Sequence, residues 1–179
     1  MNIKKIICPM FVISCIGIAG AANAGTITDF YAGATMGAGA ATVFAGGNNS
    51  TDTAMSYGVM AGLDIPLIRV EAEYNYLHDA DANMNIGMVN AYFKMPSTVI
   101  MPYLGIGLGS MFSGSSGDVN LDATAAYQGM LGLTFDLPAL PIKIDVEGRA
   151  LYIPNVFAAG NVRPDILHYD ARIKLRYVF

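Results

Sequence analysis

The final twelve residues of this chain constrain its fold more than any other segment. Residues 168–179 read HYDARIKLRYVF, and polar or charged side chains alternate with apolar ones along the whole segment. One parity holds His168, Asp170, Arg172, Lys174 and Arg176, and the other holds Tyr169, Ala171, Ile173, Leu175, Tyr177 and Phe179. Because successive side chains of a strand point to opposite faces, the segment predicts a β-strand with one charged face and one apolar, aromatic face.

The composition indicates that such strands face an apolar environment. Only 13% of the residues are charged and 54% are hydrophobic, whereas an ordinary soluble domain has about 25% charged residues. After the N-terminal segment, no stretch reaches the roughly 18 uninterrupted apolar residues that a membrane-spanning helix needs. Helices and closed barrels are the two structures that satisfy backbone hydrogen bonds in lipid. The sequence therefore predicts a transmembrane β-barrel.

The N-terminus has the pattern of a secretory signal peptide. Lys4 and Lys5 precede an apolar stretch at 6–22, and the Ala-Asn-Ala triplet at 22–24 matches the small-x-small pattern of a cleavage site. We predict that residues 1–24 are removed as a signal peptide.

The remaining residues, 25–179, are predicted to form one barrel domain without thiol chemistry. Both cysteines, Cys8 and Cys15, lie in the predicted signal peptide, so no disulfide or cysteine metal ligand remains after cleavage. An alternative reading remains open, because the VISC sequence at 12–15 is similar to a lipobox, in which Cys15 would be lipidated and retained.

Eight strand-like segments follow one another through the predicted barrel domain. They cover residues 29–44, 54–65, 67–76, 83–95, 99–112, 124–137, 142–153 and 166–179. Short, proline-containing connections alternate with longer ones at 45–53, 113–122 and 155–165, as periplasmic turns and outer loops do in bacterial barrels. We predict an all-β fold: an eight-stranded antiparallel transmembrane barrel with an up-and-down meander and both ends of the domain in the periplasm.

Alternation alone also fits a soluble, lipocalin-like barrel whose apolar face points inward. The fifth predicted strand helps to separate the two, because in YLGIGLG at 103–109 the glycines share one parity and the leucines and isoleucine share the other. A lumen crowded by long charged side chains needs small neighbours, whereas lipid accepts branched aliphatic side chains. These glycines, the low charge content and the terminal Phe179 favour the membrane barrel.

Four features together resemble small eight-stranded outer-membrane proteins of the OmpA/OmpX and opacity-type barrel group. They are the signal-peptide pattern, YLGIGLG at 103–109, the charged strand RVEAEY at 69–74 and the ending LRYVF at 175–179. The resemblance implies location in the outer membrane of a Gram-negative bacterium, in contact with outer-membrane lipid and lipopolysaccharide. It also implies that Phe179 serves as an assembly signal for the barrel-assembly machinery.

The charged strand residues are expected to point into the lumen. An arginine or lysine on the lipid face near the bilayer midplane would cost about 2 to 4 kcal/mol. Eight strands enclose a space that side chains just fill, so we predict a structural ion-pair network that plugs the barrel. The predicted members are Arg69, Glu71, Glu73, Lys143, Asp145, Glu147, Arg149, Asp170, Arg172, Lys174 and Arg176. The alternative use of these charges is a pathway for protons or small ions.

An acidic rim is predicted on the outer loops and their edges, where Arg163 is the single base. Its members are Asp52, Asp79, Asp81, Asp118, Asp122 and Asp165. Lipopolysaccharide is itself anionic, so we expect divalent cations or a cationic partner to bridge or cover this rim. The alternative is a solvated acidic surface that keeps the loops soluble.

Catalysis is the weaker hypothesis. The resemblance includes barrels that modify lipid A with histidine and serine, and His78 and His168 are the available histidines. The sequence contains no His-x-Ser pair, and Ser113, Ser115 and Ser116 fall in a predicted Gly/Ser-rich loop. We therefore predict surface histidines without a catalytic role, no catalytic residues, no cofactor and no metal site.

Charge also limits the partners. Without Lys4 and Lys5 the chain has eight bases and fourteen acids, a net charge of −6, which disfavours nucleic acid as a partner. The sequence predicts a function in envelope integrity or in surface interaction, including adhesion, through the outer loops. A porin-like channel for a small or hydrophobic solute is the alternative, and lipid A modification is a third. The residues do not identify a host receptor or surface ligand.

Overall fold

The computed structural model describes residues 28–45, 48–79, 82–97, 100–116, 119–121, 124–137, 140–155 and 165–179. The predicted signal peptide, with Cys8 and Cys15, lies outside these residues, so its cleavage and the alternative lipidation stay predictions. In the described part of the chain, no helix is long and apolar enough to cross a membrane.

Nine antiparallel strands make up the described structure. They are β1 (Asp29–Ala45), β2 (Asn48–Asp64), β3 (Ile68–Asp79), β4 (Ala82–Lys94), β5 (Ile100–Ser116), β6 (Val119–Leu121), β7 (Thr124–Asp136), β8 (Ile142–Ile153) and β9 (Asp165–Val178). Eight of them form the wall of a closed barrel in which consecutive strands are neighbours and β1 pairs with β9. The remaining strand, β6, is not part of the wall. Among the described strands it pairs only with β5. The predicted eight-stranded meander is thus confirmed.

The first and last strands close the barrel. Their pairing runs from Tyr31 opposite Val178 to Phe44 opposite Asp165. Beyond it, the backbone N–H of Phe179 donates to the carbonyl of Phe30 at 2.9 Å. Closure satisfies the backbone groups that an open sheet would leave at its two edges, which lipid cannot satisfy.

The two faces of the wall have opposite polarity. In β9 the side chains of Arg172 and Lys174 are buried in the interior, whereas Ile173 and Leu175 face outward and are about half exposed. In β5, Ile106 is the most exposed large apolar side chain, at 73%. The polar face therefore points inward and the apolar face outward, the reverse of a lipocalin-like barrel.

Gly37 in β1 allows the seam between β1 and β9 to pack. A Cβ atom at this position would lie 2.6 Å from Cγ of Arg172 and 2.8 Å from Oγ of Ser56. These distances are well inside van der Waals contact, so the side chain of Arg172 crosses the bare backbone of β1 only because residue 37 is a glycine.

The predicted connections at 45–53 and 113–122 were wrong. β1 and β2 remain paired as far as Ala45 opposite Asn48, and β5 continues to Ser116 before β6 pairs back on it. The hydroxyls of Thr42 and Thr51 lie 3.0 Å apart across the β1–β2 ribbon. Cross-strand threonine pairs stabilise a ribbon without an apolar face, and the alternation of polar and apolar residues that identified the other strands is missing here.

Candidate functional site

The barrel interior is the part of the molecule with the densest arrangement of functional groups. We refer to the end at which β1 begins and β9 ends as the proximal end, and to the opposite end as the distal end. From proximal to distal, β9 turns Arg176, Lys174, Arg172, Asp170, His168 and Ile166 into the lumen. The order of these residues along β9 gives the order of the levels of the interior from the proximal to the distal end.

The proximal level is built around two aspartates. Arg176 donates to both carboxylate oxygens of Asp145 at 2.8 Å, and its Nη1 donates to Asp64 at 3.2 Å. Lys94 forms a further ion pair with Asp64, and Nζ of Lys143 lies 3.5 Å from the same carboxylate. Asp64 is thus held by three cations, and Asp145 is held by Arg176 together with Arg69.

Arg69 is clamped at the same level between two aromatic rings. Its guanidinium carbon lies 4.0 Å from the centroid of the Tyr92 ring and 4.7 Å from that of Tyr103. Nη1 of Arg69 donates to Asp145 at 3.1 Å. The rings provide cation–π contacts in a region where water does not reach the charge.

The middle level links opposite walls of the barrel. Nζ of Lys174 lies 2.9 Å from Oε1 of Glu71 and 3.3 Å from Oε2 of Glu147. Nη1 of Arg172 donates to Glu73 at 2.6 Å, and its Nη2 pairs with Glu147. Two cations from β9 therefore hold three carboxylates from β3 and β8, which fixes these strands across the lumen.

The distal end of the ionic region is a fork between β8 and β9. Nε and Nη2 of Arg149 donate to the two oxygens of Asp170 at 2.8 and 2.5 Å, and Oγ of Ser56 donates to Asp170 at 2.7 Å. His168 follows, fully buried, with Nδ1 3.9 Å from the Asp170 carboxylate and no hydrogen-bond partner for either ring nitrogen within the described structure. The prediction of a surface histidine was wrong for His168, because its strand parity turns it into the lumen.

The buried charges balance. Among the described residues, six acids and six bases are enclosed: Asp64, Glu71, Glu73, Asp145, Glu147 and Asp170, with Arg69, Lys94, Arg149, Arg172, Lys174 and Arg176. Lys143 and Asp136 are partly exposed near the proximal mouth, with Nζ and Oδ2 3.8 Å apart. The structure thus brings together all eleven residues of the predicted network, ten of them fully enclosed, and adds Asp64 and Lys94.

Neutral polar side chains complete the network, and the sequence analysis missed them. Tyr31 donates to Glu71 at 2.8 Å and Tyr103 donates to Glu147 at 3.0 Å. Nδ2 of Asn90 donates to Glu73 at 2.8 Å. These neutral donors join the cations in satisfying the buried carboxylate oxygens, which a buried ion pair requires. The missed signal was parity, since Tyr103 shares the parity of the glycines in its strand.

The distal part of the described lumen is apolar, which the sequence analysis did not predict. Its buried members are Ala41, Ala54, Leu77, Met84, Ile86, Met88, Met111, Ala126, Leu151, Ile153 and Ile166, and we refer to them as the apolar cap. The inward parity of β8 shows the transition, because Arg149 is followed by Leu151 and Ile153. The predicted ion-pair network was expected to plug the barrel, but among the described residues the buried ion pairs end at Asp170 and the apolar cap lies beyond them.

The outer surface carries an apolar belt to which every barrel strand contributes. Tyrosines such as Tyr127, Tyr152 and Tyr169 lie toward the distal end, and Phe30 and Phe93 lie toward the proximal end. Phe179 is exposed at the proximal end, with its ring 5.2 Å from that of Tyr177. Its role as an assembly signal stays a prediction.

Only part of the predicted acidic rim falls on described residues. Asp52 is exposed, and Asp165 accepts hydrogen bonds at 2.9 Å from the Tyr152 hydroxyl and from the backbone N–H of Asn155. Asp79 ends β3, but its side chain lies outside the description. Outside it also lie Asp81, Asp118, Asp122 and Arg163, so the charge of the rim stays a prediction.

The remaining catalytic candidates lie on β3 and β5, with β4 between them: Asn83 pairs with His78 on one side and with Ser115 on the other. His78 faces outward, with Nδ1 2.6 Å from Oδ1 of Asn83, and its ring stacks on that of Tyr76. Ser113, Ser115 and Ser116 belong to β5 rather than to a loop, and their side chains lie outside the description. Among the described residues, no group of three or more His, Asp or Glu side chains is placed to hold a metal ion.

Comparison with known proteins relates this architecture to small outer-membrane barrels. Neisserial surface protein A superposes with a TM-score of 0.68 at 18% sequence identity, over 84% of this chain and 97% of that one. The N-terminal β-barrel domain of OprF from Pseudomonas aeruginosa gives a TM-score of 0.53 at 13% identity, over 81% and 97% of the two chains. No protein-family model and no curated protein sequence matches the chain. The predicted resemblance is confirmed at the level of the fold.

Proposed function

We propose that this protein is a sealed barrel of the bacterial outer membrane that acts through its distal end, in surface interaction or envelope integrity. The observation that carries the proposal is the filled lumen, in which a charge-balanced network and an apolar cap follow one another. Because the interior is occupied, the outer surface and the distal hairpins are the parts of the barrel that remain available for function.

The exterior supports insertion in a membrane. Large apolar side chains with exposures of about 40 to 70% occur on all eight wall strands, among them Met36 in β1 and Leu131 in β7. Such a continuous belt is far larger than the apolar patches that soluble monomers expose. Aromatic residues near both ends suit the two interfaces of a bilayer.

The position of the histidines supports a function other than catalysis. His168 is enclosed below the apolar cap, where a lipid or surface substrate has no access. His78 is engaged with Asn83 and Tyr76.

A planar bilayer recording of the refolded barrel tests the sealed lumen. We expect no steady conductance, with an open porin added to the same bilayer as the control for insertion and electrode response. A reproducible open level from the unmodified protein would replace the sealed barrel by the channel hypothesis.

Single cysteines test the orientation, because residues 25–179 contain no native cysteine. Thr51→Cys at the distal end and Leu140→Cys at the proximal end change two exposed side chains. We expect a membrane-impermeant maleimide to label the first variant on intact cells and the second only after the outer membrane is permeabilised. The opposite pattern would invert the proposed orientation.

A further inference from the structure

The distal part of β2 has an open edge. β2 pairs with β1 from Asn48 to Asp64, but its pairing with β3 begins only at Ala54, opposite Asp79. β3 ends at this point and the chain continues into β4, so no described strand pairs with residues 48–53 on the side away from β1. Alternate residues of an antiparallel strand turn their N–H and C=O groups to each side, so this edge presents a row of unpaired groups.

This edge belongs to an ordered sheet. β1 remains paired on its other side with β9 as far as Phe44 opposite Asp165, and the hydroxyls of Thr42 and Thr51 are in contact. Pairing with β1 therefore keeps residues 48–53 in strand geometry although their other edge is open. A strand that adds to it gains hydrogen bonds without having to order β2 first.

The chain itself shows that a strand can be added at this end of the barrel. The pairing of β5 with β7 ends at Met111 opposite Thr124. On the distal side of this point, the short strand β6 pairs with residues 114–116 of β5. In the described structure β2 has no such companion, although its free segment is longer.

The side chains of the segment leave the edge accessible and give it a charge preference. Ser50, Thr51, Asp52 and Thr53 are all exposed, and the sequence NNSTDT at 48–53 lacks the lysine and proline with which proteins commonly block edges. Asp52 is the single charge in the segment. A basic side chain directly opposite Asp52 would be favoured.

Membrane geometry disfavours a second copy as the occupant. All copies in one membrane have the same orientation relative to the bilayer. Two β2 edges that meet can therefore pair only as parallel strands, and parallel pairing is the less stable arrangement. A separate polypeptide is free to run antiparallel to β2.

We propose that residues 48–53 form a docking edge for an extended segment of a partner protein, which adds as an antiparallel strand with a basic side chain opposite Asp52. The proposal rests on the proposed function, because it needs the distal end to face the cell exterior. Main-chain pairing supplies the binding, and Asp52 supplies the preference for a basic residue.

Peptide binding to the refolded barrel tests this edge. The probe is an end-blocked, fluorescent peptide of alternating threonine and valine with one central lysine. Two analogues carry N-methyl groups on every second amide, one on the odd-numbered amides and the other on the even-numbered amides. Only one of these two sets of amides points toward β2 in a bound strand. We therefore expect one analogue to bind like the parent and the other, whose hydrogen-bonding amides are blocked, at least tenfold more weakly. Equal binding by the two analogues, or no saturable binding of the parent at millimolar concentration, would overturn the proposal.

A charge reversal tests the preference for a basic residue. Asp52→Lys should weaken binding of the lysine peptide at least fivefold and favour a glutamate version, whereas Asp29→Lys, the same change at the proximal end, should do neither. Identical behaviour of the two variants would refute the role of Asp52. Thr51→Cys disulfides between copies in native membranes would instead assign the edge to a second copy. Failure of these tests leaves the conductance and labelling results unchanged, so the two proposals fail separately.

Discussion

At the scale of single residues, Arg172 is the central connection of the lumen. It bonds Glu73 on β3 and Glu147 on β8 from its own position on β9, and none of the three is accessible to water. Removing one partner of such a group leaves buried carboxylates without compensation, which costs more than the intact ion pair contributes.

We therefore expect Arg172→Met to lower the free energy of unfolding by about 3 to 5 kcal/mol. Guanidinium unfolding in lipid vesicles measures the change. Ile173→Ala, the outward neighbour, is the control and should cost less because its side chain faces lipid in the folded state. Combining Arg172→Met with Glu147→Gln should recover part of the loss. An additive double variant would show that the two residues are energetically independent.

Residue patterns predicted the inward charges but not their partners. Parity placed Glu71, Arg172 and Lys174 on the inner face, because a charge on the lipid face is too costly. The pairing of Lys174 with Glu71 joins residues 103 positions apart in the chain, and it depends on how far neighbouring strands are staggered around the barrel. Periodicity within one strand carries no information about that stagger.

At the scale of strands, β9 completes the charge balance of the interior. Its inward residues contribute three bases and one acid, whereas the described residues of the other strands contribute five buried acids and three buried bases. Closing the barrel therefore brings a positive strand against an interior with an excess of negative charge. The bare inner face of β1 at Gly37 provides the space for Arg172.

Glycine replacements test this seam. Gly37→Ala should destabilise the barrel by about 1 to 3 kcal/mol, because the added methyl group meets Arg172 and Ser56 at the closure between β1 and β9. Gly129→Ala in β7 is the matched control, since a Cβ there has no heavy atom within 4 Å. Thermal unfolding in one detergent compares the two. Equal losses would mean that general strand effects, rather than crowding at the seam, determine the cost.

Strand prediction from the sequence succeeded where one face meets lipid and the other meets the lumen. The predicted boundaries of β8 coincide with the structure at 142–153, where apolar and charged residues alternate. They failed for the first six residues of β2 and for the end of β5. These segments extend beyond the apolar belt, so selection for alternating polarity is absent although the backbone still pairs.

At the scale of the whole molecule, the described interior has two layers of different chemistry. The ionic network reaches from the proximal mouth to Asp170, and the apolar cap lies on its distal side. The network depends on exact pairing of charges, whereas the cap depends on close packing of methionine, leucine and isoleucine side chains. Because the interior of an eight-stranded barrel is just wide enough for side chains to fill, each layer can be tested separately as a barrier to ions.

The cap can be opened to ask whether the network alone stops ions. Met84→Gly combined with Met111→Gly removes two fully buried side chains from the cap without touching a charge. Ala126→Cys, in the same cluster, reports the access of water through its reaction with a small methanethiosulfonate reagent added from the distal side. We expect the cysteine to be unreactive in the otherwise unchanged barrel and reactive in the opened one.

Conductance of the same opened barrel should stay at the baseline, because the paired charges below Asp170 still occupy the bore. The combined variant also loses stability through the cavity it creates, so its folding is first checked by circular dichroism and by resistance to protease. Folded, reactive and non-conducting barrels would assign the ion barrier to the charge network. A steady current from folded, opened barrels would move that barrier to the apolar cap and leave the network as a scaffold that holds the strands together.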